Sequence, residues 1–314
     1  MKRTVPFIVL GVLFYFLLVF PVQTLEASKT GLLLWFDSLL PALLPFLIVS
    51  QLILKTSLID SIKKLLGPVF RHLFHCSDDG TFCLICGFLC GYPVGARLIA
   101  LQIKEERLSI AEGQYLLSFC NNVSPMFCIS YGITQAIGSE KVLPYLLIIY
   151  GSALLFGFLT RPSSLPEENR RVKKQTPSAE NIFQLIDVCI IDSFLILIKL
   201  CGNLILFSII SKGLLMLIPV YSIYIAPTLT SFLEITGGLN FVSKLPLGLW
   251  RSAIGVAALV FGGLCCIFQT NSVISETRLS LKTYILHKTL TTVIALLLFF
   301  LWSFFSSFSI NGWS

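Results

Sequence analysis

The sequence predicts an all-α polytopic membrane protein, built as an inverted repeat of spans with two re-entrant helical hairpins and about seven full spans. Three observations predict it. Of 314 residues, 55% are hydrophobic and 12% charged, where soluble domains carry about 25% charged residues, and the mean hydropathy is +0.87. The apolar runs are long enough to cross a hydrocarbon layer of about 30 Å, which takes ~20 helical residues. Lys and Arg fall between those runs, as orientation signals do, and form no continuous basic stripe. The net charge of +7 therefore points to the lipid bilayer as partner and away from nucleic acid.

Most of the ten cysteines (Cys83, Cys86, Cys90, Cys120, Cys128, Cys189, Cys201, Cys265 and Cys266 among them) lie in apolar runs, where a thiol acts as a small hydrophobe. His72, His75, Cys76, Cys83 and Cys86 match no zinc spacing, so no metal is expected.

The first span is read at Val5–Val22, behind Lys2 and Arg3, with the N-terminus cytoplasmic and the helix retained. It lacks a small-x-small cleavage site. The loop after it, with Glu26, Lys29 and Asp37, is placed outside. Leu39–Leu54 returns the chain to a basic region with Lys55, Lys63, Lys64 and Arg71. There Leu58, Ile62, Leu65, Leu66, Val69, Phe70 and Leu73 share one helical face, the pattern of a helix lying in the membrane interface.

Thr81–Leu101 contains Gly87, Gly91, Pro93 and Gly95. A full crossing would put Lys104 and Arg107 outside. A hairpin turning at Gly91-Tyr92-Pro93 keeps them inside, and the charge rule favours the hairpin. Tyr115–Ile137 is then read as crossing outward and Val142–Thr160 as crossing back.

The loop Arg161–Asn181, with Arg170, Arg171, Lys173 and Lys174, is the strongest cytoplasmic mark and divides the chain. Beyond it the plan recurs upside down. Ile182–Ile210 is read as a span and Gly213–Thr228 as a surface segment with Pro219 and Pro227. Ser231–Phe241 is a polar hairpin, and Leu249–Phe268 and Ile285–Phe308 are spans, with Arg278, Lys282 and Lys288 as flanking cytoplasmic cations. The division is thus 1–38 for the first transmembrane helix and outer loop, 39–160 for the first half, 161–181 for the basic loop and 182–314 for the second half.

Four clusters place hydrogen-bonding groups where lipid would reject them. They are Gly91–Arg97; Ser118–Pro125 with Asn121, Asn122 and Ser124; Glu234–Gly238 with Thr236; and Phe261–Leu264 followed by Gln269, Asn271 and Ser272. Taken singly, such residues pack helices or snorkel. Taken together, in matched places of two halves, they suit a solute site near the midplane. A carboxylate such as Glu234 costs roughly 2.5–3.5 kcal/mol at a helix centre, so a partner is expected: a coupling proton or cation, or Lys199 or Arg251.

The motifs Gly-Tyr-Pro-Val-Gly-Ala-Arg at 91–97, Leu-Leu-Ser-Phe-Cys-Asn-Asn at 116–122 with Ser124-Pro125, Leu-Glu-Ile-Thr-Gly-Gly at 233–238 and Phe-Gly-Gly-Leu at 261–264 resemble one known family. It is the YlbJ-type sporulation integral membrane proteins of the nucleoside-recognition (gate) domain group, similar in architecture to concentrative nucleoside transporters. The resemblance implies a mother-cell-derived membrane around the forespore and transport of dipicolinic acid, a small aromatic dicarboxylate. It further implies a substrate site at Tyr92, Pro93, Asn121, Asn122, Ser124, Glu234, Thr236 and Gln269. The chain departs from the family where a His-containing stretch is usual after Phe-Gly-Gly-Leu; here it reads Cys265-Cys266-Ile267-Phe268. No cofactor beyond a coupling proton or cation is expected, and a homo-oligomer is compatible with the pattern. A nucleoside-like solute is an alternative, as is a non-transporting protein of spore cortex or envelope assembly. A cysteine-based intramembrane enzyme ranks last.

Overall fold

A computed structural model describes residues 4–56, 58–163, 182–217 and 223–311, and every regular element among them is helical. The helices are α1 (Thr4–Val19), α2 (Pro21–Leu33), which runs through a π-helical stretch (Leu34–Leu39) into α3 (Leu40–Lys55), and α4 (Leu58–Phe74). Then come α5 (Asp78–Cys90), α6 (Val94–Lys104), α7 (Ile110–Cys120), and the single turn α8 (Pro125–Phe127), which opens a second π-helical stretch, Cys128–Ile137. After α9 (Val142–Leu159) the chain continues with α10 (Ile182–Leu217), α11 (Ile225–Leu233), α12 (Ile235–Ser243), α13 (Leu249–Phe261), α14 (Gly263–Ile274) and α15 (Leu281–Asn311).

Helix α15 shows what solvent this protein is built for. Leu286, Leu290, Val293, Leu297 and Leu301 are exposed along one face, while Tyr284, Lys288, Thr291 and Ala295 are buried along the other. A water-soluble helix is patterned the other way round. With apolar side chains outside and polar groups turned inward, the helix fits hydrocarbon. Helices α9 and α10 likewise expose Leu143, Leu147, Leu159, Ile191, Leu195 and Ile198. Among the described residues, four stretches are long and apolar enough to cross: Val142–Leu159, Ile182–Leu217, Leu249–Ile274 and Leu281–Ser306. The number rises to six if each of two sharply bent helix pairs counts as one span. Helix α4 exposes Leu65, Val69 and Leu73 on one side, the geometry of a helix lying on the interface.

Two sets of contacts define opposite ends of the bundle. At one end Ser77 N–H donates to Glu112 Oε1 (2.7 Å), and His75 Nδ1 lies 2.7 Å from the Pro162 carbonyl oxygen. At the same end Ser280 N–H donates to Gln114 Oε1 (2.6 Å) and Lys104 pairs with Glu276. The start of α5 and the end of α6 therefore share that end. At the other, Arg251 donates through Nε to the Ala136 carbonyl (2.8 Å) and through a terminal nitrogen to that of Leu245 (2.9 Å). There Tyr145 OH also donates to Ser252 Oγ (3.0 Å). The end of α12 belongs to this second end.

Several sequence expectations are corrected. The first span bends by 107° at Phe20, where Pro21 cannot supply the N–H that would continue α1. The loop expected around Glu26 and Lys29 is helical, because α2 packs along α10. The expected crossing Tyr115–Ile137 starts at Ile110 and is interrupted between Cys120 and Pro125; Leu249–Phe268 is interrupted at Gly262 and extends to Ile274. Gly213–Leu217 continues α10. The loop expected to be cytoplasmic, with Arg170, Arg171, Lys173 and Lys174, and Pro219 lie outside the described residues.

Candidate functional site at the convergence of four helix breaks

Each polar cluster of the sequence falls on an interruption of a helix. Between α5 and α6 the chain turns at Gly91-Tyr92-Pro93. Gly91 has φ +73°, and a Cβ there would collide with the Ser124 backbone, so glycine is required on both counts. Between α7 and α8, Pro125 stands at the first helical position, and Ser124 Oγ caps the new turn by accepting the Phe127 N–H (3.3 Å). That leaves Asn121–Ser124 without helix between two apolar segments. Between α11 and α12, Glu234 is the extended N-cap residue, its carboxylate accepting the N–H groups of Thr236 (2.8 Å) and Gly237. Between α13 and α14, Gly262 and Gly263 take φ +83° and +78°.

These breaks are wired to one another. Tyr92 N–H donates to the Asn122 carbonyl (2.8 Å), and Tyr131 OH to the Thr236 carbonyl (3.1 Å). Asn121 Nδ2 donates to Thr270 Oγ1 (2.9 Å) and Tyr284 OH (3.1 Å). Asn122 Nδ2 donates to the Phe119 carbonyl (2.6 Å), and its Oδ1 accepts from Lys288 Nζ (2.8 Å). Gln269 Nε2 donates to Cys265 Sγ (3.3 Å). Such pairing is what buried polar groups in hydrocarbon require.

A cavity of about 310 Å³ opens beside the breaks. Five of the eight residues singled out from sequence line it: Tyr92, Pro93, Ser124, Thr236 and Gln269. Its apolar wall includes Leu39, Leu43, Phe127 and Leu200. Arg97 and Lys199 also line it, both exposed, and among the described residues no carboxylate does. Neither cation has an ion pair or side-chain hydrogen bond among the described residues. Asn121 and Asn122 lie outside that lining, fully or almost fully buried. Glu234 faces a second cavity of about 250 Å³, with Glu26, Lys212, Asn240 and Lys244.

Two expectations about charge are corrected. Arg251 is not the partner of Glu234; its guanidinium is spent on backbone carbonyls, and helix α12 itself satisfies the carboxylate. Lys199 lines the first cavity and makes no ion pair with it. Lys288 is not a flanking cation either. It is 0% exposed, in the middle of the site. Its signal was present in the sequence: Tyr284, Lys288, Thr291 and Ala295 recur at helical spacing on one face of the last long helix.

Residues 36–134 match the family model described as Gate: Nucleoside recognition. Over 312 residues the chain is 28% identical to "Sporulation integral membrane protein YlbJ" of Bacillus subtilis (strain 168), covering 88% of this chain and 76% of that protein. The chain is thus similar to YlbJ over most of its length, with a gate-like segment at 36–134. The gate segment holds the α5–α6 turn and the Asn121–Ser124 interruption, while Glu234, Gln269 and Lys288 lie in the half beyond it. No solved structure matches the chain.

Proposed function

We propose that this YlbJ-like membrane protein transports a small organic anion during sporulation, most simply dipicolinate, across a mother-cell-derived membrane around the forespore. The observation that carries the reading is the charge of the cavity: Arg97 from α6 and Lys199 from α10 line it with no carboxylate beside them. Two cations, an apolar wall and the polar groups of Ser124, Thr236 and Gln269 complement a flat ring bearing two carboxylates. In this reading 39–160 and 182–314 are two halves of opposite orientation, separated by the basic loop 161–181. The hairpins α5–α6 and α11–α12 are then re-entrant, and the interrupted pairs α7–α8 and α13–α14 count among about seven spans. Its support is that α5 starts and α6 ends at one end of the bundle, whereas α12 ends at the other. The gate description favours a nucleoside-like solute as the second reading; an uncharged nucleoside would leave both cations unmatched.

Uptake of radiolabelled dipicolinate by liposomes containing the purified protein tests the proposal. Saturable uptake that unlabelled nucleoside does not compete supports it. No uptake over protein-free liposomes, together with normal dipicolinate in spores lacking the protein, would overturn it.

A further inference from the structure

Lys288 is a buried charge whose setting the proposed site does not use. Its side chain is completely buried in the apolar helix α15, too deep to snorkel. No ion pair among the described residues includes it. Such a charge is expensive in hydrocarbon unless something replaces water around it.

The replacement is a ring of neutral acceptors at the helix interruptions. Nζ donates to Asn122 Oδ1 (2.8 Å) and to the Val260 carbonyl (3.3 Å), and it lies 5.2 Å from the centre of the Tyr92 ring. Asn122 stands just past the end of α7, Val260 is in the last turn of α13, and Tyr92 follows the end of α5. The last carbonyls of a helix lack intrahelical donors, and the helix dipole makes that end negative. Three helices thus end around one ammonium. Close by, Asn121 Oδ1 is buried and accepts no hydrogen bond. Interrupted membrane helices that present carbonyls and C-terminal ends in this way are the usual holders of a free coupling cation such as sodium.

We propose that the Lys288 ammonium is a tethered, built-in cation occupying the place where a free metal cation would otherwise sit, so that the protein binds no sodium ion there. One side chain, carried by the last span, joins the interruptions of both halves. What this means for coupling rests on the transport reading: anion movement would not depend on sodium at this position. The occupancy itself is independent of any solute.

Thermal unfolding of the purified full-length protein tests it, in sodium chloride against choline chloride at equal ionic strength. The wild type and Lys288→Arg should unfold at the same temperature in both salts. Lys288→Ala should be less stable in choline. Sodium or methylammonium should then raise its midpoint saturably, by about 3–5 °C at roughly a hundredfold excess over Kd. Lys288→Gln, which keeps an N–H donor without the charge, should respond in the same sense. If a variant is too unstable to purify, its abundance in membranes of cells grown with and without methylammonium gives the same reading, a rise being expected. The same cation response in wild type and both neutral variants, or unchanged abundance, would overturn the proposal. Because the readout is stability, a cation-responsive Lys288→Ala combined with no dipicolinate uptake by the wild type and normal dipicolinate in spores lacking the protein would defeat the transport reading alone.

Discussion

The backbone N–H of Tyr92 donates to the carbonyl oxygen of Asn122 at 2.8 Å, tying the turn between α5 and α6 to the interruption between α7 and α8. The Asn122 side chain holds Lys288 at the same distance, so one residue joins the gate segment to the last helix. Replacing Asn122 by Leu keeps the first bond and removes the second. A more apolar span still inserts, but the ammonium loses an acceptor, at a cost of about 1–3 kcal/mol. Asn122→Leu should therefore reach the membrane and unfold at lower temperature than the wild type. Asn121→Leu should insert as well, losing the bonds to Thr270 and Tyr284. Both should lower spore dipicolinate; normal dipicolinate in both would return these residues to a packing role.

Arg97 and Lys199 line the cavity, and neither side chain makes an ion pair or hydrogen bond among the described residues, so their removal should spare the fold. Arg97→Gln and Lys199→Gln are each expected to lower dipicolinate uptake about tenfold, equivalent to ~1.4 kcal/mol of lost attraction. Abundance should stay unchanged. If uptake of an uncharged nucleoside is present and neither substitution affects it, the anionic reading fails and the nucleoside reading gains.

Glu234 caps α12 with its own carboxylate. Glu234→Gln retains an acceptor oxygen and should accumulate at near-normal level. Glu234→Leu removes the cap, which is worth about 0.5–2 kcal/mol, and should lower the unfolding midpoint. Because neither Lys199 nor Arg251 pairs with it, substituting either as well should not rescue Glu234→Leu. Rescue by either would restore an ion pair to the account.

Lys104 on α6 and Glu276 beyond α14 bridge the two halves at one end of the bundle. The ammonium holds the Glu276 carboxyl below its ordinary value of 4.5. A carboxyl depressed in the folded state contributes stability above its unfolded value and loses it as pH falls through the folded one. Glu276→Gln should thus be slightly less stable than the wild type at neutral pH, and the two should converge in acid. Both groups are well exposed, so high salt should shrink the difference. Equal stability at all pH values in low salt would show the pair to be without consequence.

Single cysteines near Asp79 and Lys104, introduced in a background without other cysteines, should label from the same side of the membrane. Those positions flank α5–α6, whose outer ends contact Glu112 of α7, Pro162 just beyond α9 and Glu276 between α14 and α15. Labelling from opposite sides would turn the hairpin into a crossing.

The solvent of this protein was determined by sequence alone. Long apolar runs with so few charges admit no aqueous fold, and backbone groups in lipid must then close their hydrogen bonds within helices. Sequence also located the four polar clusters on which the interruptions fall, because glycine, Ser-Pro and paired asparagines disturb helices by local chemistry that needs no partner. It read two of them as hairpins and the other two as parts of unbroken spans. Tertiary structure alone decided what the interruptions do to one another. The charge rule read Lys288 as a flanking cation because it counts residues along the chain. Its burial depends on which face of α15 meets the ends of α7 and α13. The same holds for Glu234 and Arg251, which sequence could pair by sign. Folding instead gave each to backbone groups, the carboxylate to the N–H groups of its own helix and the guanidinium to carbonyls of other segments. Local breaks follow from residue chemistry, whereas the environment of a charge is set by segments distant in sequence that only packing brings together.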